Sequence, residues 1–371
     1  MNGWISEIHR RRVTLDVRDA RSIDEWIACL ETADCKLVYS SGTSGNFSFV
    51  PRDRASWEMF RLMSVCCLAP LLLRRNLGSQ LQRRLIKPAA RLLSPNTFAS
   101  LSRKFSNAGY DAVFLDFNRG RTGNQALTQE LAPFFRRRSF LYESALSPSV
   151  LRLAARGAKT QEDAEQLRAL QNIVVDQKER NYSRVIENIQ RSTDERQKVF
   201  IFGTTYQYKE LCETIAASGK KLNLRDGSLV LFGGGWKSFT GAKIPRDQFI
   251  ALMTENLNLP SDRILEGYSM TEMMAFTLRC EHGRFHIPPY IEPVIFDEAL
   301  EVMRGDDLRG TLGFLDPLAR AYPGFIISGD EVHFVNGDCA CGLNGAAVTE
   351  IGRVRQHEVK GCGGIMASLA A

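Results

Sequence analysis

No apolar run in this chain is long enough to cross a bilayer. The longest, Cys66 to Leu73, is far shorter than the ~20 residues a membrane helix needs. Arg10, Arg11 and Arg12 are followed by no apolar stretch with a cleavage site, so no secretory leader is expected. Nine cysteines, an odd number at irregular spacing, argue against a secreted disulfide framework. The expected compartment is therefore cytoplasmic, with reduced thiols. Internal repeats and low-complexity tracts are absent. Acidic residues are missing from 74–104, which carries Arg74, Arg75, Arg83, Arg84, Lys87, Arg91, Arg103 and Lys104. Those eight charges exceed the net excess of +6, so the remainder of the chain is slightly acidic. The patch lacks interleaved aromatics that would stack on bases, so no nucleic-acid partner is expected. It suits an acidic partner, the phosphates of a cofactor or an anionic membrane surface. A solvated basic face would read the same way.

What is present is the composition of a soluble globular protein, 371 residues at 44% apolar and 24% charged. Ser22 is placed to cap a helix whose Trp26, Ile27 and Leu30 share a face. A second helix is expected from about Asp53 to Cys67. Leucines at helical spacing continue through the basic stretch until Pro88 and Pro95 interrupt it. Ala112–Phe117, Lys198–Phe202 and Ser228–Phe232 read as buried strands. A long helical region from about Lys159 to Arg196 lies between the first two, with Leu167, Leu170 and Val174 as its apolar stripe. Strands alternating with helices predict an α/β fold with mostly parallel sheets flanked by helices. Ligands in such sheets sit at the carboxyl ends of strands.

Tyr39-Ser-Ser-Gly-Thr-Ser-Gly45 follows the apolar step Leu37-Val38, which reads as a strand end. Gly42 and Gly45 permit backbone angles closed to other residues. Successive N–H groups would then turn inward on one anion. Ser40, Ser41, Thr43 and Ser44 add hydroxyl donors. A Ser/Gly surface loop would carry the same residues.

Other segments give this loop a context. Glu266-Gly-Tyr-Ser-Met-Thr-Glu272 resembles the Tyr-Gly-Met-Thr-Glu core of adenylate-forming enzymes. Gly233-Gly-Gly-Trp-Lys237 resembles their glycine-rich strand end. Tyr322-Pro-Gly-Phe-Ile-Ile-Ser-Gly-Asp330 resembles the segment whose aspartate holds the ribose, and Gly352-Arg353 resembles their hinge. Within that superfamily, Gly-Gly-Gly-Trp-Lys, Cys339-Ala-Cys-Gly342 and the run 352–362 are most similar to the acyl-protein synthetases of bacterial luminescence. They are also similar to phenylacetate–coenzyme A ligases. The chain departs from the pattern in three places. Asn46-Phe47-Ser48 stands where many members have Pro-Lys, only 38 residues precede the loop, and no mobile domain with a catalytic lysine follows Gly364.

The resemblance implies an enzyme that joins a carboxylic acid to AMP. Residues 1–350 would form the activation domain, shortened at its amino end, with a basic helical segment at 61–105. Residues 351–371 would be a hinge-like tail. Ser40, Ser41, Gly42, Thr43, Ser44 and Gly45 would take the β- and γ-phosphates of ATP, and Thr271 the α-phosphate. Glu272 would ligate Mg²⁺, a hard ion suited to carboxylate and phosphate oxygens. Tyr268 would stack on adenine, Gly234 and Gly235 would approach the acyl-adenylate, Asp330 would accept from the ribose hydroxyls, and Arg353 would contact the ribose or phosphate. Tyr268 also fits a core aromatic, and Asp330 a turn residue before Glu331. Without the loop lysine, the cation facing pyrophosphate must come from elsewhere; Arg52, Lys237 and Arg353 are candidates.

Cys280-Glu-His-Gly-Arg-Phe-His286 and Cys339-Ala-Cys341 together offer a tetrahedral zinc set of Cys280, His286, Cys339 and Cys341, with His282 the alternative imidazole. Such a closed shell would be structural; unmetallated thiols remain the alternative. Cys362, flanked by Gly361, Gly363 and Gly364, is implied as acyl acceptor, with Lys360 and Arg355 favouring its thiolate. A small buried residue beside a hinge would look alike. The acyl group, fatty or otherwise apolar, would pass from Cys362 to a reductase, an acyl carrier protein or coenzyme A. Direct coenzyme A ligation and a non-catalytic scaffold are the competing readings.

Overall fold

The computed structural model describes residues 19–40, 47–72, 109–236, 243–322 and 324–353, together with positions 5, 9 and 15. The chain divides into two compact units. One comprises 1–71, 75–94 and 267–359, and the other 72–74, 95–266 and 360–371.

The first unit opens with helix α1 (Ile23–Thr32). Ser22 caps it by accepting a bond from the Glu25 amide at 3.1 Å. Its inward face, Ile23, Trp26, Ile27 and Leu30, is buried against Cys35 and Leu37. Strands β1 (Cys35–Ser40) and β2 (Ser48–Asp53) form a two-stranded antiparallel hairpin, with Ser40 opposite Ser48. Pro51 is tolerated in this two-stranded ribbon, where a missing donor can face away from the ladder. The expected phosphate loop therefore follows a strand of an antiparallel pair, not a strand of the parallel sheet. Residues 41–47 are too few for the crossover that a parallel pair requires. Asp53 accepts from the Ser56 amide at 2.8 Å and starts α2 (Arg54–Leu72).

The second unit holds the parallel sheet. β3 (Tyr110–Arg119) is followed by α3 (Gly123–Leu131), β4 (Arg138–Ala145), α4 (Pro148–Arg156), α5 (Gln161–Gln171) and α6 (Lys178–Asp194). Then come β5 (Lys198–Thr204), α7 (Thr205–Ala217), β6 (Leu229–Gly233), α8 (Arg246–Leu257) and β7 (Ile264–Tyr268). The spatial order runs β4-β3-β5-β6, each pair parallel. β3, β5 and β6 are nearly continuous apolar runs because both of their faces are covered. The long helical region of the sequence is two helices, α5 and α6, joined by a π-turn at Asn172–Asp176. Tyr182, Val185, Ile186 and Ile189 are the buried stripe of α6.

The last residues of β7 return to the first unit, where Gly267 and Tyr268 pair with Leu278 and Thr277 of β8 (Thr277–Leu278). There β9 (Phe285–His286), β10 (Glu292–Phe296), β11 (Asp307–Leu315), β12 (Phe325–Asp338) and β13 (Asn344–Arg353) make an antiparallel sheet ordered β10-β11-β12-β13-β9. Phe285, Ile295, Leu312, Val332, Phe334 and Val348 form its core. This antiparallel sheet was not among the expected elements. Its strands β11 and β12 contain Gly310, Gly313 and Gly337, which blur the alternation that marks a half-buried strand. No helix among the described residues is long and apolar enough to cross a membrane.

Candidate functional site

Within the first unit, the end of β1 meets the turn that follows β7. Ser40 Oγ donates to Glu272 Oε1 at 3.2 Å across 232 residues of sequence. The phosphate-loop strand and the Tyr-Ser-Met-Thr-Glu segment therefore adjoin. Ser41, Gly42, Thr43, Ser44 and Gly45 lie outside the described residues, as do Lys237 and Cys362.

The Thr271–Glu272 turn is held from beneath. Arg52 Nη2 donates to the Thr271 carbonyl at 2.7 Å and to the Met273 carbonyl at 3.4 Å. The Tyr322 hydroxyl donates to the Glu272 carbonyl. The Met274 amide donates to Asp316 Oδ2 at 2.8 Å. Burial pushes the Asp316 carboxyl above the ordinary carboxylate range, against bonds from the Met274 and Leu318 amides. Burial also pulls the Arg52 guanidinium below its usual value, while Tyr322, Glu272 and Asp316 act in the other direction. Arginine remains a cation under such shifts.

Tyr268 and Asp330, assigned separately from the sequence, are joined. The Tyr268 hydroxyl donates to Asp330 Oδ2 at 3.0 Å. The Tyr268 ring also packs beside Phe285, with centroids 5.9 Å apart. Asp330 is buried inside β12, so it is a strand residue and not a turn residue. It pairs with Arg353 of β13 in the backbone ladder.

Gly234 and Gly235 follow β6 in the second unit, with φ of +82° and +54°. Side chains avoid this region, which gives the two glycines a backbone reason to be there. Among the described residues no heavy atom stands within 4 Å of a Cβ placed on Gly235, so the requirement there comes from the backbone angle.

Cys280, His286, Cys339 and Cys341 converge in the first unit, all four ligand atoms lying within 4.8 Å of one another. Cys280 Sγ is 3.9 Å from Cys339 Sγ, and Cys341 Sγ is 3.3 Å from His286 Nε2. Two thiolates on tetrahedral zinc at ~2.3 Å would stand about 3.8 Å apart, so the donor set fits that ion. Pairing of β9 with β13 brings His286 opposite Ala347. A tight turn at Gly342, φ +82°, returns Cys339 and Cys341 to the same end of the sheet. The alternative imidazole, His282, is exposed, beside Glu281 and outside the cluster.

Sequence reasoning left Tyr322 and Asp316 unassigned. Tyr322 opens the quoted run that ends in Asp330, but nothing in its spacing marks it as a backbone donor. Asp316 precedes Pro317, a pair that reads as an ordinary turn.

Residues 172–370 match the family model described as "Acyl-protein synthetase, LuxE". A long-chain-fatty-acid–luciferin-component ligase of Aliivibrio fischeri is 22% identical over 157 residues, 42% of this chain and 42% of that protein. The ligase of the same name from Vibrio harveyi is 23% identical over 192 residues, covering 51% of this chain and 50% of that one. The chain thus spans about half the length of the curated relatives it matches. Among solved structures, an open conformation of 2-hydroxyisobutyryl-CoA ligase with 2-HIB-AMP and CoA superposes at a TM-score of 0.48. It is 13% identical and covers 93% of this chain and 65% of that one. The family match takes in the glycine triplet, the Thr271–Glu272 turn, the cysteine–histidine cluster, Asp330 and Cys362, and extends over more than half of the chain. The chain belongs to the acyl-protein synthetase (LuxE) family.

Proposed function

We propose that this protein activates a carboxylic acid with ATP and captures the acyl group on a thiol. The observation that carries the reading is the Ser40–Glu272 bond. It puts the strand leading into the phosphate loop within hydrogen-bond reach of the carboxylate that would hold magnesium. In the first step a carboxylate oxygen bonds to the α-phosphorus of ATP. The bond from that phosphorus to the β-phosphate oxygen breaks, and pyrophosphate leaves. Ser40 to Gly45 would take the β- and γ-phosphates, and Thr271 the α-phosphate. Glu272 would hold Mg²⁺, which supplies charge neutralisation on the phosphates. Asp330, oriented by the Tyr268 hydroxyl, would accept from the ribose hydroxyls, with Arg353 opposite it in the ladder. Gly234 and Gly235 would approach the acyl-adenylate.

In the second step the Cys362 thiolate bonds to the acyl carbon and AMP leaves, giving a thioester for a partner. The kinship with two bacterial long-chain-fatty-acid ligases supports a long-chain fatty acid as substrate. Residues 1–350 would carry the activation chemistry and 351–371 the acceptor. The four-ligand set of Cys280, His286, Cys339 and Cys341 would hold zinc structurally, because four protein ligands leave no open position for substrate.

The test is pyrophosphate release across a panel of acids, read together with intact-protein mass. Acid-dependent release with an acyl mass on Cys362, lost in Cys362→Ser, is the expected result. Free acyl-coenzyme A with Cys362→Ser fully active would instead make the protein a coenzyme A ligase. No ATP turnover with any acid would leave a scaffold.

A further inference from the structure

Three successive carbonyls of the turn that carries Thr271 and Glu272 are taken by buried donors. Thr271 and Met273 accept from Arg52, and Glu272 accepts from Tyr322. The next amide, Met274, is taken by Asp316. Asp316 is fixed in turn. Its amide donates to the Gly324 carbonyl at 2.6 Å, and its second carboxylate oxygen accepts from Leu318 at 3.0 Å. A Cβ on Gly324 would stand 2.4 Å from the Asp316 carbonyl oxygen, so this approach requires glycine.

Arg52 is an expensive way to satisfy two carbonyls. It is 1% exposed, and among the described residues no carboxylate comes within ion-pair distance of it. Its Nε and Nη1 are buried and make no hydrogen bond among the described residues. Its guanidinium instead lies 4.2 Å over the Phe60 ring and 5.9 Å from that of Trp57. A buried charge without a paired carboxylate carries a large desolvation cost. A packed apolar residue would avoid that cost but would release the turn.

We propose that Arg52, Tyr322 and Asp316 form a buried clamp on the Thr271–Met274 backbone, and that Arg52 is a positioning residue that sets Glu272 and Thr271 for magnesium·ATP. One guanidinium nitrogen, Nη2, reaches both carbonyls. The turn's outward side chains are thereby left to Ser40 and the nucleotide. Of the candidate cations for the missing loop lysine, Arg52 lies beneath the turn, where it acts through the backbone and through its charge, not by contact with substrate. The proposal rests on the acid-activation reading, and its test separates the two.

Arg52→Lys, Arg52→Ala and Tyr322→Phe are compared with the wild type. Hydrogen exchange of the nucleotide-free protein is the first readout. Amides of the 268–276 peptide should exchange about tenfold faster in Tyr322→Phe, which loses one buried hydrogen bond, and faster still in Arg52→Ala, which loses two, with peptides of the parallel sheet unchanged. Titration with magnesium·ATP should weaken by about 10²-fold in Arg52→Ala, the size expected for displaced positioning. The KM for the acid should be unchanged. Arg52→Lys should recover part of this loss, and added methylguanidinium should recover part in Arg52→Ala. Uniformly faster exchange across the chain would make Arg52 a general core residue and overturn the proposal. So would wild-type magnesium·ATP affinity in both Arg52→Ala and Tyr322→Phe. If the wild type releases no pyrophosphate with any acid, the activation reading fails, and the exchange data still decide the clamp.

Discussion

Single residues at this site act through one another. Asp330 is buried within a strand, where a carboxylate needs a partner, and the Tyr268 hydroxyl supplies it at 3.0 Å. Replacing Tyr268 by Phe keeps the ring against Phe285 and removes only the bond to the carboxylate. A hydrogen bond to a charged group is worth about 1.5–3 kcal/mol. Tyr268→Phe should therefore raise the KM for ATP by roughly tenfold or more and leave the KM for the acid alone. Steady-state kinetics with each substrate varied in turn checks this. A change confined to the acid would mean that Tyr268 belongs to the acyl pocket.

At the scale of elements, the cysteine–histidine cluster ties the turn between β12 and β13 to β9 and to Cys280. Loss of the zinc we propose there should loosen the ends of those strands and leave the parallel sheet of the second unit intact. Chelation, or Cys339→Ser, should increase hydrogen exchange in peptides covering 280–286 and 336–346, and native mass spectrometry should show the loss of one zinc. Protection that survives complete metal removal would contradict a structural role. The elements also show where a sequence is readable. β3, β5 and β6 were visible as apolar runs because both faces are buried, and α1 was visible from Ser22 and its single buried face. The antiparallel sheet was not, because glycines and exposed positions interrupt β11 and β12. The same contrast holds within the site. Glu272, Asp330 and the cluster ligands lie in short segments with recognisable residue patterns. Arg52, Tyr322 and Asp316 act on backbone atoms of a distant turn, and no spacing along the chain encodes such a contact.

At the scale of the molecule, a buried carboxyl of the second unit ties stability to pH. Burial raises the Asp111 carboxyl, but bonds from Arg137, Arg136 and Ser192 outweigh it and hold the group below the ordinary carboxylate range. Arg137 Nη2 lies 2.8 Å from Asp111 Oδ2, and Ser192 Oγ donates to the same oxygen at 2.8 Å. A carboxyl depressed on folding stabilises the protein above its unfolded pKa of about 3.9. That stabilisation is lost as the pH falls from there through the lower folded value. Asp111→Asn should cost about 1–3 kcal/mol at pH 7, less than a fully buried pair because both arginines are partly hydrated. The gap between mutant and wild type should shrink as the pH approaches 3. Denaturant unfolding at the two pH values checks it, and a gap independent of pH would assign Asp111 a packing role only.

The activation reading is tested most directly by exchange of labelled pyrophosphate into ATP, which isolates the first step from any acyl acceptor. The wild type should catalyse exchange only when Mg²⁺ and a carboxylic acid are both present, with long-chain fatty acids the best. Glu272→Gln should reduce that exchange by about 10²-fold or more while keeping the fold. Exchange that needs no acid, or no exchange with any acid of any chain length, would contradict acid activation at the Ser40–Glu272 site.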